Sequence, residues 1–169
     1  MQSTVKYLVI YMETRKFMGF NSEGCLPFGI FEMTLEEVEK IFVNSARREE
    51  IIDHYKKHID NIRNSPHYLN HWINGSFVTL KENPKDIDTL TEFDGLKVDE
   101  NNEKEKIDNM IHNAYSQSDK MCHSLVVYKY PKSISEEYEK YLEIKNRTLI
   151  LFAINKETRK PKGFVKLIN

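Results

Sequence analysis

The stretch INGSFVTLKENPKDIDTL, residues 73–90, links a Gly75-Ser76 pair to Asp86-Ile87-Asp88 through nine intervening residues. Asp86 and Asp88 lie two apart in an apolar run. On a strand their side chains share one face, roughly 7 Å apart along the chain, and Ile87 turns to the other. Like charges on one strand face are costly unless a cation sits between them. Two convergent carboxylates suit a hard divalent ion, since Mg2+ takes one or two carboxylates and completes its shell with water and substrate phosphates. A Gly-Ser turn leaving a strand offers backbone N–H groups and a hydroxyl to a phosphate. Together the two motifs describe a metal-bound triphosphate, with phosphates on Gly75 and Ser76 and Mg2+ or Mn2+ on Asp86 and Asp88. That arrangement suits in-line phosphoryl or nucleotidyl transfer. Lys81, in the intervening loop, is placed either to neutralise phosphate charge or to sit in solvent. Asp-x-Asp alone mostly marks a solvated turn; its combination with a Gly-Ser turn and an apolar strand is more specific.

The segment resembles the signature of the DNA polymerase beta-like nucleotidyltransferase superfamily, a Gly-Ser or Gly-Gly pair followed at about this distance by Asp-hydrophobic-Asp. Gly75, Ser76, Asp86, Ile87 and Asp88 match it. The wider chain resembles an uncharacterised group of small prokaryotic nucleotidyltransferase-like proteins through three stretches, FNSEGCLPFGIFEMTLEEVEK, WINGSFVTLKENPKDID and KETRKPKGFVKL. The resemblance implies an α/β (α+β) fold with a mixed sheet flanked by helices, a divalent metal, and transfer of a nucleoside monophosphate from an NTP to a protein or RNA. It places Gly75 and Ser76 on the triphosphate and Asp86 and Asp88 on the metal. Small stand-alone members often belong to toxin–antitoxin or phage-defence systems.

Active members usually carry a third carboxylate on a later strand. The matching strand here, CHSLVVYKY (Cys122–Tyr130), has no Asp or Glu, and His123 stands where the carboxylate is expected. A neutral imidazole serves as a general base but is a poor Mg2+ ligand. Glu92 shares the face of Asp88 but lies roughly 13 Å along the strand. Two readings stand: His123 takes over as base, or the site has lost catalysis and the fold acts as a binding module through a protein partner. The missing carboxylate weighs against efficient catalysis.

Other candidates carry less. The pairs His54/His58 and His67/His71 have metal-ligand spacing but no third ligand, and read as solvated surface. Cys122 cannot form a dyad with His123, because strand neighbours face opposite ways, and reads as core. Lys156, Arg159, Lys160 and Lys162 cluster in one turn, either a solvated hairpin or a small patch for nucleotide or RNA phosphate. Trp72 reads as core. Phe20, Leu26, Phe28 and Phe31 make the N-terminal arm apolar enough to pack on the domain or to cover a partner.

The elements that position these residues follow from periodicity and caps. A strand is expected over 5–11 and an irregular arm, fixed by Gly24, Pro27 and Gly29, up to residue 33. Thr34 and Glu37 form a capping-box pattern at a helix start. Ile51, Ile52, Tyr55, Ile59 and Ile62 mark one face of a helix over 46–63. Strands are expected at HYLNHWIN, DIDTLTEF (86–93), CHSLVVYKY, RTLILFAIN and GFVKLI, with helices over 103–118 and 133–146 and a loop at KVDENNEKEK (97–106). At 169 residues the chain makes one domain. Its formal net charge of −1 gives no basic field for DNA. Its two cysteines form no disulfide framework or zinc motif. No stretch is long enough to span a membrane, and a cytoplasmic setting is expected.

Overall fold

The computed structural model describes residues 12–117 and 120–169, and the strand expected over 5–11 lies outside them. The first helix among the described residues, α1 (Leu35–Phe42), is capped by Thr34 as the sequence indicates. The Thr34 hydroxyl accepts from the Glu37 N–H, and the Glu37 carboxylate accepts from the Thr34 N–H, so the capping box is closed. Ser45 caps α2 (Ala46–Arg63), whose Ile51, Ile52, Tyr55, Ile59 and Ile62 are all buried.

Among the described residues six strands make one mixed sheet. β3 (Tyr68–Asn74) runs antiparallel to β4 (Ile87–Asp94), and β5 (Cys122–Lys129) lies parallel to β4. On the other side of β3 lies β6 (Phe164–Leu167), antiparallel to it. The arm contributes β1 (Thr14–Arg15) and β2 (Ile30–Met33), parallel to each other and to β6, for the order β1-β2-β6-β3-β4-β5. Parallel neighbours need a crossover; α3 (Gly95–Glu100) and α4 (Lys104–Gln117) supply it between β4 and β5. The longer α5 (Ser135–Phe152) leads from β5 toward β6. Side-chain alternation along β4 sends Ile87 and Phe93 to the core packed by α1 to α4, and Leu90 to the core packed by α5. Among the described residues no helix is long and apolar enough to cross a membrane.

Three elements differ from the periodicity reading. RTLILFAIN is not a strand: α5 continues to Phe152, burying Thr148, Leu149 and Phe152 at helical spacing while Leu151 is 58 % exposed. A continuous apolar run does not by itself distinguish the two periods. The charged stretch 97–106 is helix at both ends, because the Asp94 side chain caps α3, leaving Asn101–Glu103 as the connection. The arm is irregular only up to Gly29, after which β2 joins the sheet edge.

One buried cation fastens the β3–β4 connection to α2. Arg48 is 1 % exposed and has its guanidinium on the carbonyls of Phe42 (2.9 Å), Phe77 (2.6 Å), Thr79 (2.7 Å) and Lys81 (2.6 Å). It also lies 5.5 Å from the centre of the Phe77 ring. Burial lowers its pKa, yet a guanidinium stays charged in proteins, and its fork can serve several carbonyls at once. Replacing Arg48 with Met strands these carbonyls, at a cost of about 3 kcal/mol. The expected result is a melting temperature lower by roughly 6–12 °C, read by calorimetry, with Lys at this position recovering only part of the loss.

Candidate functional site

The two sequence motifs meet because β3 ends where β4 begins. Asn74 is paired with Asp88 across the antiparallel ladder, and Asp88 is paired with His123 on its other side. The chain leaves β3 through Gly75 at φ +86°, where a Cβ would stand 2.6 Å from Asp88 Oδ2 and 3.3 Å from the Asp88 nitrogen. Both the left-handed conformation and the approach to the aspartate therefore require glycine. Ser76 opens a single 3-10 turn (Ser76–Val78) whose Phe77 and Val78 are buried, and its carbonyl accepts from the Thr79 N–H and hydroxyl.

Asp86, just ahead of β4, and Asp88, within it, line one cavity of about 460 Å³ together with Gly75, Ser76 and Lys81. Ile87 between them is fully buried, as alternation requires. Burial and the neighbouring Asp88 charge push the Asp86 carboxyl above its usual range, against the opposing influence of His123, Lys156 and Lys85. His123 is 53 % exposed, with Nδ1 3.1 Å from Asp88 Oδ1. It lines a second, more apolar cavity of about 190 Å³ with Leu125, Thr148, Leu151 and Phe152. Asn74, Asp88, Ile154 and Lys156 belong to both cavities, so the two meet at Asp88.

The remaining walls come from the arm and from the connection between α5 and β6. The Asn21 carboxamide oxygen accepts from the N–H groups of Glu23 and Cys25, shaping the arm's turn. The Asn155 oxygen does the same for Glu157 and Thr158, and its amide nitrogen lies 3.3 Å from Cys25 Sγ. Glu23 reaches across to Lys160 and Thr158. Lys81 reaches Glu157 at 3.6 Å, so it lies on the rim, ion-paired. The apolar arm residues pack on the domain itself: Leu26 and Phe31 are core, and Phe20 and Phe28 lie against it.

The basic turn is a hairpin bridged between Ile154 and Pro161, with Lys156, Arg159 and Lys160 exposed and Lys162 alone buried. Lys160 pairs with Glu23, and Arg159 lines the smaller cavity. Lys156, 82 % exposed, extends to 4.0 Å from Asp88 Oδ2. Lys162 is 6 % exposed and donates to the Asn74 carboxamide oxygen beneath the larger cavity. Asn74, Asn155 and Glu23 were not legible as site residues; Lys162 was, but as surface. Its place directly before the apolar GFVKL strand is the signal for burial.

Other candidates separate from the site. Glu92 is buried against Lys145, Tyr141 and Asn70, and is unavailable as a third carboxylate. Lys145 also lies over the buried Trp72 ring at 4.9 Å. His67 and His71 are not solvated: His67 meets Glu103 at 2.8 Å, and His71 bonds Thr91 at 2.9 Å in the core, where burial holds it neutral with a pKa of about 3. His54 and His58 are half-buried on α2. Cys122 is core, as expected.

Among the described residues no group of three or more His, Cys, Asp and Glu side chains is arranged to hold a metal ion. Two carboxylates alone still fit Mg2+ if water and phosphate complete the shell, and both causes that raise the Asp86 pKa, burial first and the Asp88 charge second, are ones a cation at this point would offset.

Burial lowers the Lys162 pKa to about 8, partly opposed by Cys25 and Asp88, with Lys156 adding to the lowering. The unfolded chain keeps this proton until about 10.5, so between the two values the unfolded state binds more protons and stability rises with pH. The penalty is full below pH 8 and gone above 10.5. Between these limits, the stability of wild type relative to Lys162→Met should therefore rise by up to about 3 kcal/mol, read from urea denaturation of both proteins.

Neither a curated protein nor a solved structure matches the chain. One family model does, and its span runs from the arm through β6, taking in all three segments that build the cavities. Matched over residues 18–168, the chain belongs to the family of unknown function DUF6932.

Proposed function

We propose that the two cavities are the two halves of a nucleotidyl-transfer site, with an NTP in the larger and the acceptor in the smaller. The observation that carries this reading is their meeting at Asp88, which has lysines and the Gly75-Ser76 turn on one side and an imidazole on the other. The mixed sheet flanked by helices supports a nucleotidyltransferase-like arrangement. Asp86 and Asp88 would hold Mg2+ or Mn2+, which when bound neutralises charge developing on the transferred and leaving phosphates. Lys156, 82 % exposed, supplies positive charge to Asp88 from the loop before β6 and would turn to a phosphate bound there. Lys81, on the rim, has the same reach. Gly75 and Ser76 line the floor against which the phosphates lie.

His123 is the base in this scheme. Asp88 bonds Nδ1 and so fixes the ring's orientation and tautomer. The imidazole takes the proton of an acceptor hydroxyl as its oxygen attacks the α-phosphorus and pyrophosphate leaves. The acceptor is a protein or an RNA, in a setting such as a toxin–antitoxin or phage-defence pair.

Thermal melting with each NTP, with and without Mg2+ or Mn2+, tests the binding half. A nucleotide at a hundred times its dissociation constant adds about 2.7 kcal/mol, or roughly 5–11 °C for a chain of this size. The shift should need metal and vanish in Asp86→Asn/Asp88→Asn. For the transfer half, label from α-32P NTP is followed into protein and RNA. His123→Gln should keep the thermal shift and lose about 100-fold or more in transfer rate. No shift with any nucleotide would leave the other reading, a catalytically silent module that acts through a protein partner.

A further inference from the structure

Lys162 differs in kind from the lysines on the rim. Its ammonium is buried, and its one hydrogen bond among the described residues goes to the Asn74 carboxamide oxygen. Asp88 and Cys25 act on it through space. An ammonium carries three N–H donors, and burying it with one of them satisfied is costly. The side chain cannot easily escape, because the backbone on both sides is fixed. The Lys162 N–H donates to the Ala153 carbonyl at 2.8 Å and the Gly163 N–H to that of Leu26 at 2.8 Å. A Cβ on Gly163 would stand 2.3 Å from the Pro27 carbonyl oxygen. A buried cation held in the wall of an open cavity, with donors to spare, is a built anion site.

We propose that Lys162 is the anion-binding residue of the larger cavity, holding a pyrophosphate-class anion on the ammonium N–H groups that Asn74 leaves over. In the nucleotidyl-transfer reading that anion is the β,γ-diphosphate of the NTP, and the identity of the natural ligand rests on that reading. Binding of the anion itself does not, because it requires neither metal nor catalysis. Asn74 is a positioning residue here: it orients the ammonium and, through its pairing with Asp88, sets the anion beside the aspartates.

The test is calorimetric titration of the full chain with inorganic pyrophosphate in the presence of chelator. Wild type should bind it. Lys162→Met should bind at least about tenfold more weakly, a loss typical of a buried charge-assisted hydrogen bond, while Lys162→Arg recovers part of the affinity and thermal melts show both variants folded. Lys57→Met, which removes an exposed charge on α2, should bind like wild type. The inference is overturned if wild type binds no pyrophosphate at millimolar concentration, or if Lys162→Met binds as wild type does, whatever the nucleotide experiments give. Pyrophosphate binding lost in Lys162→Met, with no nucleotide shift in wild type, would keep the anion site and remove the transfer reading.

Discussion

The pairing of Asn74 with Asp88 across the β3–β4 ladder is the constraint on which the site depends. It fixes the last residue of one strand against the second residue of the next, so the chain must leave β3 within contact of the Asp88 carboxylate. Only a residue without Cβ can make that exit, and Gly75 does so at positive φ. The same pairing brings the Asn74 side chain over β6, the neighbour of β3 on its other side, where Lys162 precedes the strand. Register, glycine and buried lysine thus form one set of dependencies. A shift of one residue in the ladder would send Asp88 to the opposite face of the sheet.

Charge balance at this end of the sheet is local. Burial disfavours the Asp86 carboxylate, and the neighbouring Asp88 charge adds to the cost. What offsets them is an exposed cation from the rim, a buried cation from below and an imidazole at the side: Lys156, Lys162 and His123. Lys162 itself is destabilised by burial. Arg48 supports the opposite side of the connection, where its charge serves main-chain carbonyls and not the carboxylates. The β3–β4 connection is therefore rigid where it touches α2 and open where it faces the cavity.

Much of this was legible because it is local. The Thr34 capping box, the α2 stripe and the Asp86/Asp88 face each depend on residues within a few positions, and each appears as read. The failures have non-local causes. RTLILFAIN has strand-like composition, but it continues α5, and its buried residues Thr148, Leu149 and Phe152 follow the helical period. His67 and His71 read as surface because nothing nearby in sequence announces Glu103 or Thr91. Lys162 reads as one of four turn lysines, since the Asn74 oxygen that draws it inward lies 88 residues away. The arm and the basic turn carried a resemblance without a mechanism. In the structure they are two walls of the cavity, joined through Glu23, Lys160 and the Asn155–Cys25 contact.

His123 and Lys162 are best understood together. A carboxylate at position 123 would place a third negative charge beside Asp86 and Asp88, raising the demand for metal and strengthening the pull on Lys162. With His123 there, and with Lys81–Glu157 and Lys160–Glu23 paired among themselves, the site sets Asp86 and Asp88 against Lys156, Lys162 and an imidazole that Asp88 engages. Such a set has little excess negative charge with which to bind a bare divalent ion tightly. It is better matched to a ligand that arrives with its own negative charge and brings the ion with it. In the proposed nucleotidyl-transfer reading the phosphates would therefore contribute as much to metal binding as the aspartates, and the buried Lys162 beside Asn74 would make that division workable.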